Sequence, residues 1–555
     1  MVFNDNYEWI SGWIHDYYCD KDGSELIFNL NNNKFFECPI CHFKYTDEKR
    51  KRAWITKYRY QIFNSLEIYS KKFLENKNKE ILAYLEDALN YYALNYDKFA
   101  IHNKDGEVFD TIISSNRCGR ITAQGLNEAM ISIQIVNCIN NIEPYLNAKT
   151  KKNVYKLLFP QIYELLKPQI NKIHNICCYE VCAIAIMGII SNNEKMIKFA
   201  FNSTYSFYNQ LDKGITKDYF WFEGSFHYHF FVLKPILELL KLAKAYSYDI
   251  PEKYYEIGKK MLIQGVACSF NDCSLPSPND GWPNKSLFDY IEVYNLGIEI
   301  FNDEFLDMLK FLTTKINKIG TTHFIDTGFS MLKNENWNVF IKYKDNNINH
   351  AHPDKLNIEI KSGNDFLTHD LSTCGYGSDI SKNFYKKSYS HNTIIIDGKD
   401  QNLECETIMT SYNNHMIDVR VNNVYDSVSV SRKIQVLSKK IVDEVNVDYC
   451  GNKNVDYFFH CDAILISKLC YNAMESFKEY PYLENVKEII NKNDNIILKW
   501  KLNNKIIISK MNIKNKKLFL CNSPDNPNTK NRTTLMIRNN NKEKAYFKIE
   551  WEIID

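Results

Sequence analysis

The sequence predicts an α+β multidomain protein, a helical array or toroid followed by a large antiparallel β-sandwich. Three observations predict it. Apolar residues recur at helical spacing from about residue 50 to 318, the period changes to two after about 320, and 555 residues are too many for one ordinary core. The expected divisions are a small module over 1–48, a helical domain over 49–318 and a β-sandwich over 319–555.

In the first module, Cys38-Pro39-Ile40-Cys41 has zinc-ribbon spacing, and Cys19 lies upstream beside His15. A ribbon needs a second cysteine pair, but the third position after Cys19 is Asp22. Two readings stand. Cys19, Cys38 and Cys41 hold a zinc ion with His15 or Asp22 as fourth ligand, or the knuckle is degenerate and binds nothing.

In the helical domain, Leu82, Leu85, Leu89 and Tyr92 share one helix face, as do Leu233, Leu237, Leu240 and the nearby Ala243. Pro235 is expected near a first turn or at a kink. Further helices are expected at 124–148, 150–168, 176–191, 193–210, 254–266 and 303–317. No clean fixed-period repeat is present, which disfavours a sequence-regular solenoid. Beyond 320, Val428, Val430, Ile434 and Val436 alternate with Ser429, Ser431, Lys433 and Gln435. Phe547, Ile549, Trp551 and Ile553 repeat the pattern at the end. Ligand sites favour the seam that such a pair of halves creates.

The formal charge is +2, from 69 basic and 67 acidic residues, which argues against a general nucleic-acid binder but allows a local basic cleft. Met1–Ile10 carries Asp5 and Glu8 and lacks a basic start and an apolar stretch, so no secretory signal is read. The longest apolar run, Val181 to Ile190, is about half of a membrane span. Many of the 16 cysteines sit in apolar contexts, as reduced core residues do. The expectation is a cytoplasmic protein with no membrane contact; a homodimer stays open.

The stretch from Asn349 to Gln401 concentrates the chemistry. His352, Asp370 and His391 are two imidazoles and a carboxylate, the donors a borderline cation such as zinc takes. They are eighteen and twenty-one residues apart, too far for one helix turn but suited to neighbouring strands: Leu356, Ile358 and Ile360 alternate with Asn357, Glu359 and Lys361. The plain alternative is a set of unrelated surface and turn histidines. In the helical half, His174-Asn175 precedes an apolar helix, where Asn would serve as an N-cap. Trp221 to His229 is rich in titratable groups; it either lies under the toroid as an aromatic loop or lets Glu223 and Tyr228 line one cleft.

Together these residues resemble the heparinase II/III-like polysaccharide lyases. His350-Ala351-His352-Pro353-Asp354-Lys355-Leu356 resembles that family's HxHxDxL signature, and Ser390 to Gly398 its AHNTxxxDG signature. Phe222 to His229 resembles its E-G-S-x-x-Y-H motif, and Gly119 to Ala129 its G-x-x-x-x-x-x-L-x-E-A helix. Cys-Pro-x-Cys and Ala53-Trp54 resemble the N-terminal module of some members. The resemblance implies an incomplete α/α-toroid plus a β-sandwich, with a metal held by His352, Asp370 and His391. It also implies that His350 points at substrate, that Tyr228 is the catalytic tyrosine, that Asn175 or His174 reaches the uronate carboxylate, and that Tyr376 is a second cleft tyrosine.

Such a lyase removes the C5 proton of a uronate, expels O4 and leaves a C4–C5 double bond. Donors must stabilise the dianion that develops on the carboxylate, a role suited to Asn175 with or without His174. When proton and leaving group share a face, Tyr228 alone could serve both steps. In the opposite arrangement His350 is the base and Tyr228, waiting across the cleft, the acid; this division is the one expected. Arg117 and Arg120 are candidate contacts for sulfate, and Arg120 and the nearby Gln124 for substrate, against a plain reading as solvated loop. The expected substrate is an acidic oligo- or polysaccharide, of glycosaminoglycan or heparan type, taken as short chains, with alginate-type oligouronates as the alternative. A metal-dependent hydrolase or cupin-like enzyme using His350, His352 and His391 would leave Asp370 and Tyr228 without roles, and the set gives no support to a non-catalytic glycan binder.

Overall fold

The computed structural model describes residues 4–112, 117–302, 319–539 and 544–554. The expected helix at 303–317 lies outside them. Ahead of the first long helix, Phe36–Glu37 and Lys44–Tyr45 form an antiparallel hairpin. Its small core of Tyr17, Cys19, Leu26, Phe36, Cys38 and Tyr45 is completed by Ala53, Trp54 and Ile55 of the helix Glu48–Asn76, so the hairpin shares its core with the helical domain.

The helical region surrounds one helix, Asn175–Ser191, in which every residue except Ile176 is buried. A helix apolar on all sides must be enclosed; Gly125–Ile142 and Phe226–Ala245 flank it. The 193–210 expectation resolves into two helices, Glu194–Asn202 and Phe207–Gly214, because Ser206 caps the second by accepting from the Asn209 N–H. The 150–168 segment passes through a wider turn, Val154–Leu158, between Ala148–Asn153 and Phe159–Leu166. Pro235 sits in the middle of Phe226–Ala245, not near its start, so the Phe231 carbonyl loses its helical donor there. The helix Ile291–Phe301 was not anticipated by the periodicity.

All strands beyond 320 pair antiparallel, in a five-, a six- and an eight-stranded sheet. The five-stranded sheet runs Thr322–Phe324, Phe329–Lys333, Asn338–Lys342, Asn357–Ser362, Asp365–Thr368. It is buried on both faces. Phe329, Met331 and Phe340 enter the helical core, while Leu332, Val339 and Ile341 enter the core shared with the other sheets. This double burial explains the strand Asn357–Ser362: Ile358 and Ile360 face the sandwich, and the polar side chains of Asn357, Glu359 and Lys361, all buried, face the seam.

Phe329 stacks on Phe226 across this seam with ring centroids 6.0 Å apart. Phe329→Ala is expected to destabilise the protein by about 3–5 kcal/mol, read as a lower denaturation midpoint, because it removes contacts that join the two halves.

Candidate active site

The seam places His350 and Tyr228 ring on ring, with centroids 3.7 Å apart and planes 21° from parallel. Tyr228 therefore touches His350 directly; it does not face it across an open cleft. The Tyr228 hydroxyl is 2.8 Å from that of Tyr376, and Tyr376 in turn packs against Trp13 at 5.8 Å and His15 at 4.5 Å. Burial pushes both phenols well above the ordinary tyrosine range; the nearby Asp280 carboxylate pushes the same way.

Helix capping distinguishes His174 from Asn175. His174, not Asn175, is the N-cap: its backbone is extended, and its Nδ1 accepts from the Ile176 N–H at 3.2 Å. The ring proton is thereby assigned to Nε2, and burial lowers the imidazole pKa to about 3, so it is neutral. Asn175 is the first helical residue, and its side-chain amide faces the seam. Its Nδ2 donates to Glu223 Oε2 at 2.7 Å and lies 3.3 Å from His350 Nε2.

Glu223 was expected to face substrate. It is instead 1 % exposed and holds Asn175 from beneath, accepting also from its backbone N–H at 3.3 Å. Gly224, at φ +69°, makes the turn that folds this carboxylate back. Arg120 likewise departs from expectation: its guanidinium donates to the carbonyls of Asp97 and Phe99 at 3.0 and 2.7 Å. Gln124 precedes the helix Gly125–Ile142 as its N-cap, without a side-chain capping bond, and no hydrogen bond joins it to the Tyr228–His350 group among the described residues.

The residue that organises the site is Asp280, which the sequence reading missed. Its Oδ2 lies 3.1 Å from His350 Nδ1 and its Oδ1 3.0 Å from His352 Nε2. Lys386 reaches the same carboxylate at 2.7 Å. Burial alone would raise the acid's pKa, but these partners hold it well below the usual carboxylate range. Asn279 fastens the loop: its Nδ2 donates to the Gly224 carbonyl at 2.8 Å, and its Oδ1 accepts from the His352 N–H at 3.1 Å. Pro278-Asn279-Asp280-Gly281 reads in sequence as a turn, and nothing in that signal marks a buried functional acid.

His352, Asp370 and His391 converge as expected, with one ligand atom of each within 4.8 Å of the others. The donor set fits a metal. Asp280 engages His352 at Nε2, leaving Nδ1 buried without a partner; Asp370 engages His391 Nδ1 at 2.9 Å, leaving Nε2 in the same state. His352, with its Nδ1 orphaned and a carboxylate bracing its other nitrogen, has the arrangement that metal-binding histidines adopt; the Asp370 carboxylate, the third member of the set, itself contacts His391 at Nδ1. Asn357 and the Ser372 N–H brace Asp370 in turn. In the N-terminal module, Cys19, Asp22, Cys38 and Cys41 form a second group able to hold a metal. The fourth member is Asp22; His15 is packed against Tyr376 instead.

With this geometry established, two family models match the chain: Heparinase II/III N-terminus over residues 163–306, and Heparinase II/III-like, C-terminal, over 319–434. Over both segments the chain is similar to the heparinase II/III-like family. It is 25% identical over 199 residues to an exo-oligoalginate lyase of Saccharophagus degradans, a match covering 34% of this chain and 25% of that relative. The match thus spans a quarter of the relative's length. Among solved structures, heparinase III aligns with a TM-score of 0.67 at 15% identity over 92% of this chain and 79% of its own. A heparan sulfate lyase from Pedobacter heparinus aligns at 0.60 and 13% identity over 92% and 77%. These likenesses show the fold, an α/α-toroid with a β-sandwich. No helix among the described residues is long and apolar enough to cross a membrane.

If Glu223 serves to hold Asn175, Glu223→Ala leaves a buried amide donor unmatched and should cost about 1–3 kcal/mol. Glu223→Gln keeps an acceptor and should cost less; chemical denaturation of both variants checks the order.

Proposed function

We propose that this chain is a polysaccharide lyase that cleaves uronic-acid-containing glycans by β-elimination, leaving a 4,5-unsaturated uronate end. The observation that carries the reading is the Asp280–His350–Tyr228 contact with the Asn175 amide beside it. With Nδ1–H given to Asp280, the His350 lone pair is on Nε2, where it meets the Asn175 N–H; it would take the C5 proton once the substrate carboxylate claims that N–H. The Tyr228 phenol, pushed upward by burial, is the proton donor to O4. The Asn175 N–H directed toward His350 Nε2 lies where the substrate carboxylate would arrive, and it would stabilise the dianion.

The two rings are in contact, so a sugar cannot lie between them. His350 and Tyr228 then address one face of the ring, which favours uronates whose C5 hydrogen and O4 project to the same side. This revises the expected division, in which acid and base were on opposite faces.

The substrate we propose is an acidic oligo- or polysaccharide of glycosaminoglycan or heparan type. A cavity of about 400 Å³ beside Trp13 is lined by Lys49, Arg52, Lys104 and Lys382 against Asp16 and Asp105. Because Trp13 stacks on Tyr376, this basic space adjoins the reacting groups. An alginate-type oligouronate is the second reading, favoured by the exo-oligoalginate lyase match. We propose zinc at His352, Asp370 and His391, where its charge would tie three segments of the β-domain together next to His350.

Adding a panel of acidic polysaccharides and following the ultraviolet absorbance of new unsaturated uronate tests the activity; no absorbance from any uronate polymer or oligomer would overturn it. Tyr228→Phe should lower kcat by roughly 10²–10⁴-fold with the fold intact. Near-full turnover in that variant would remove Tyr228 from the reaction.

A further inference from the structure

We infer that Cys19, Asp22, Cys38 and Cys41 bind a second divalent cation of the zinc type, and that this site positions the loop carrying Tyr376. The metal site stands on its own geometry; its link to turnover rests on the lyase reading of Tyr376.

The four ligand atoms lie within 4.8 Å of one another. Cys19 Sγ is 3.6 Å from Cys41 Sγ, and Cys38 Sγ is 3.2 Å from Asp22 Oδ2. A tetrahedral zinc with bonds of about 2.3 Å to sulfur would set two sulfurs about 3.8 Å apart, so little movement is needed. The knuckle is already shaped for a thiolate: the Ile40 and Cys41 N–H groups both point at Cys38 Sγ from 3.4 Å. His42, at φ 56°, makes the left-handed turn that closes the knuckle. On the other side, Asp22 Oδ1 accepts from the Ser24 N–H at 2.9 Å, which fixes the carboxylate and leaves Oδ2 turned to the sulfurs. A Cys19–Cys41 disulfide would account for two of these residues but not for the braced Asp22 or the donors aimed at Cys38.

The segment that leads into Cys19 and runs through Asp22 backs the Tyr376 loop. A side chain at Gly375 would collide with the Tyr18 ring, and one at Gly377 would come within 2.6 Å of Asp16 Oδ1. A methyl group on Gly23 would lie 2.9 Å from Cys374 Sγ. The Asp22 carbonyl also accepts from the Asn528 N–H at 3.2 Å. Residues 13–23 thus press on 374–377 at several points, and Cys19 and Asp22 lie within that pressing segment. Losing the cation frees the segment and, through it, the Tyr376 hydroxyl that meets Tyr228. In this role Asp22 and the cysteines are positioning residues.

Elemental mass spectrometry of the full chain, purified with zinc supplied, should find one metal per chain more in the wild type than in a chain lacking these ligands, two in all when the His352 site is also filled. Cys38→Ser and Asp22→Ala should each lower the count by one, and Asp22→Cys should restore it. Hydrogen–deuterium exchange over 371–378 should rise in the first two variants and return to the wild-type level in Asp22→Cys. On a uronate substrate kcat should fall about tenfold and recover in parallel, the scale seen when bracing around a metal is lost. A wild-type metal content no higher than that of Cys38→Ser, or the mass loss of a Cys19–Cys41 disulfide in the purified protein, would overturn the site. The additional metal with exchange over 371–378 unchanged by Cys38→Ser would overturn the positioning role. Metal count and exchange are read without turnover, so they stand or fall apart from the lyase reading.

Discussion

The buried carboxylate of Asp280 fixes the seam. One of its oxygens takes the Nε2–H of His352 and the other the Nδ1–H of His350, with the Lys386 ammonium closing the third side. An ionised carboxylate removed from water is costly unless such partners surround it. In return it fixes two tautomers at once. His352 presents Nδ1 toward His391 and Asp370, and His350 presents Nε2 toward Asn175. The candidate metal ligands and the candidate base are therefore oriented by the same group. Asn279 ties that group's loop both to the turn before the Tyr228 helix and to the His352 backbone.

The rest of the architecture keeps this arrangement rigid. The five-stranded sheet belongs to both cores, so the two halves cannot slide without exposing Phe329 and Phe340 on one side or Val339 and Ile341 on the other. The N-terminal segment closes the third wall, with Trp13 and His15 on Tyr376 and Trp282 stacked against His15 and Tyr18. Burial lowers the His15 pKa to about 4, which keeps that ring neutral beside the tyrosines.

Much of this was legible from residue type and period. The change from helical to twofold periodicity marked the two halves, and histidines are few enough, 13 in all, that a cluster of them in one short region stood out. What escaped were the positioning residues. Asp280 lies in a Pro-Asn-Asp-Gly turn, and a turn signal says nothing about which distant ring a side chain will meet. Glu223 looked like a cleft residue until the left-handed Gly224 turned it inward. His174 took the cap that Asn175 was expected to fill, because the extended backbone at 174 decides the cap and sequence preference only biases it. Arg120, expected at substrate, is spent on the backbone carbonyls at the end of a helix. The two halves of helix 193–210 were fused in the reading because Ser203 to Ser206 interrupt it without glycine or proline.

The central claim is that one carboxylate orients both the metal ligands and the base. Asparagine at 280 can accept from only one of the two imidazoles at a time. Asp280→Asn, assayed for bound metal and for unsaturated uronate formation, should lose metal affinity by about 10–100-fold and lose turnover in the same preparation even when metal is supplied in excess. Full metal affinity with full turnover, or a loss of metal affinity that excess metal converts into wild-type turnover, would contradict it.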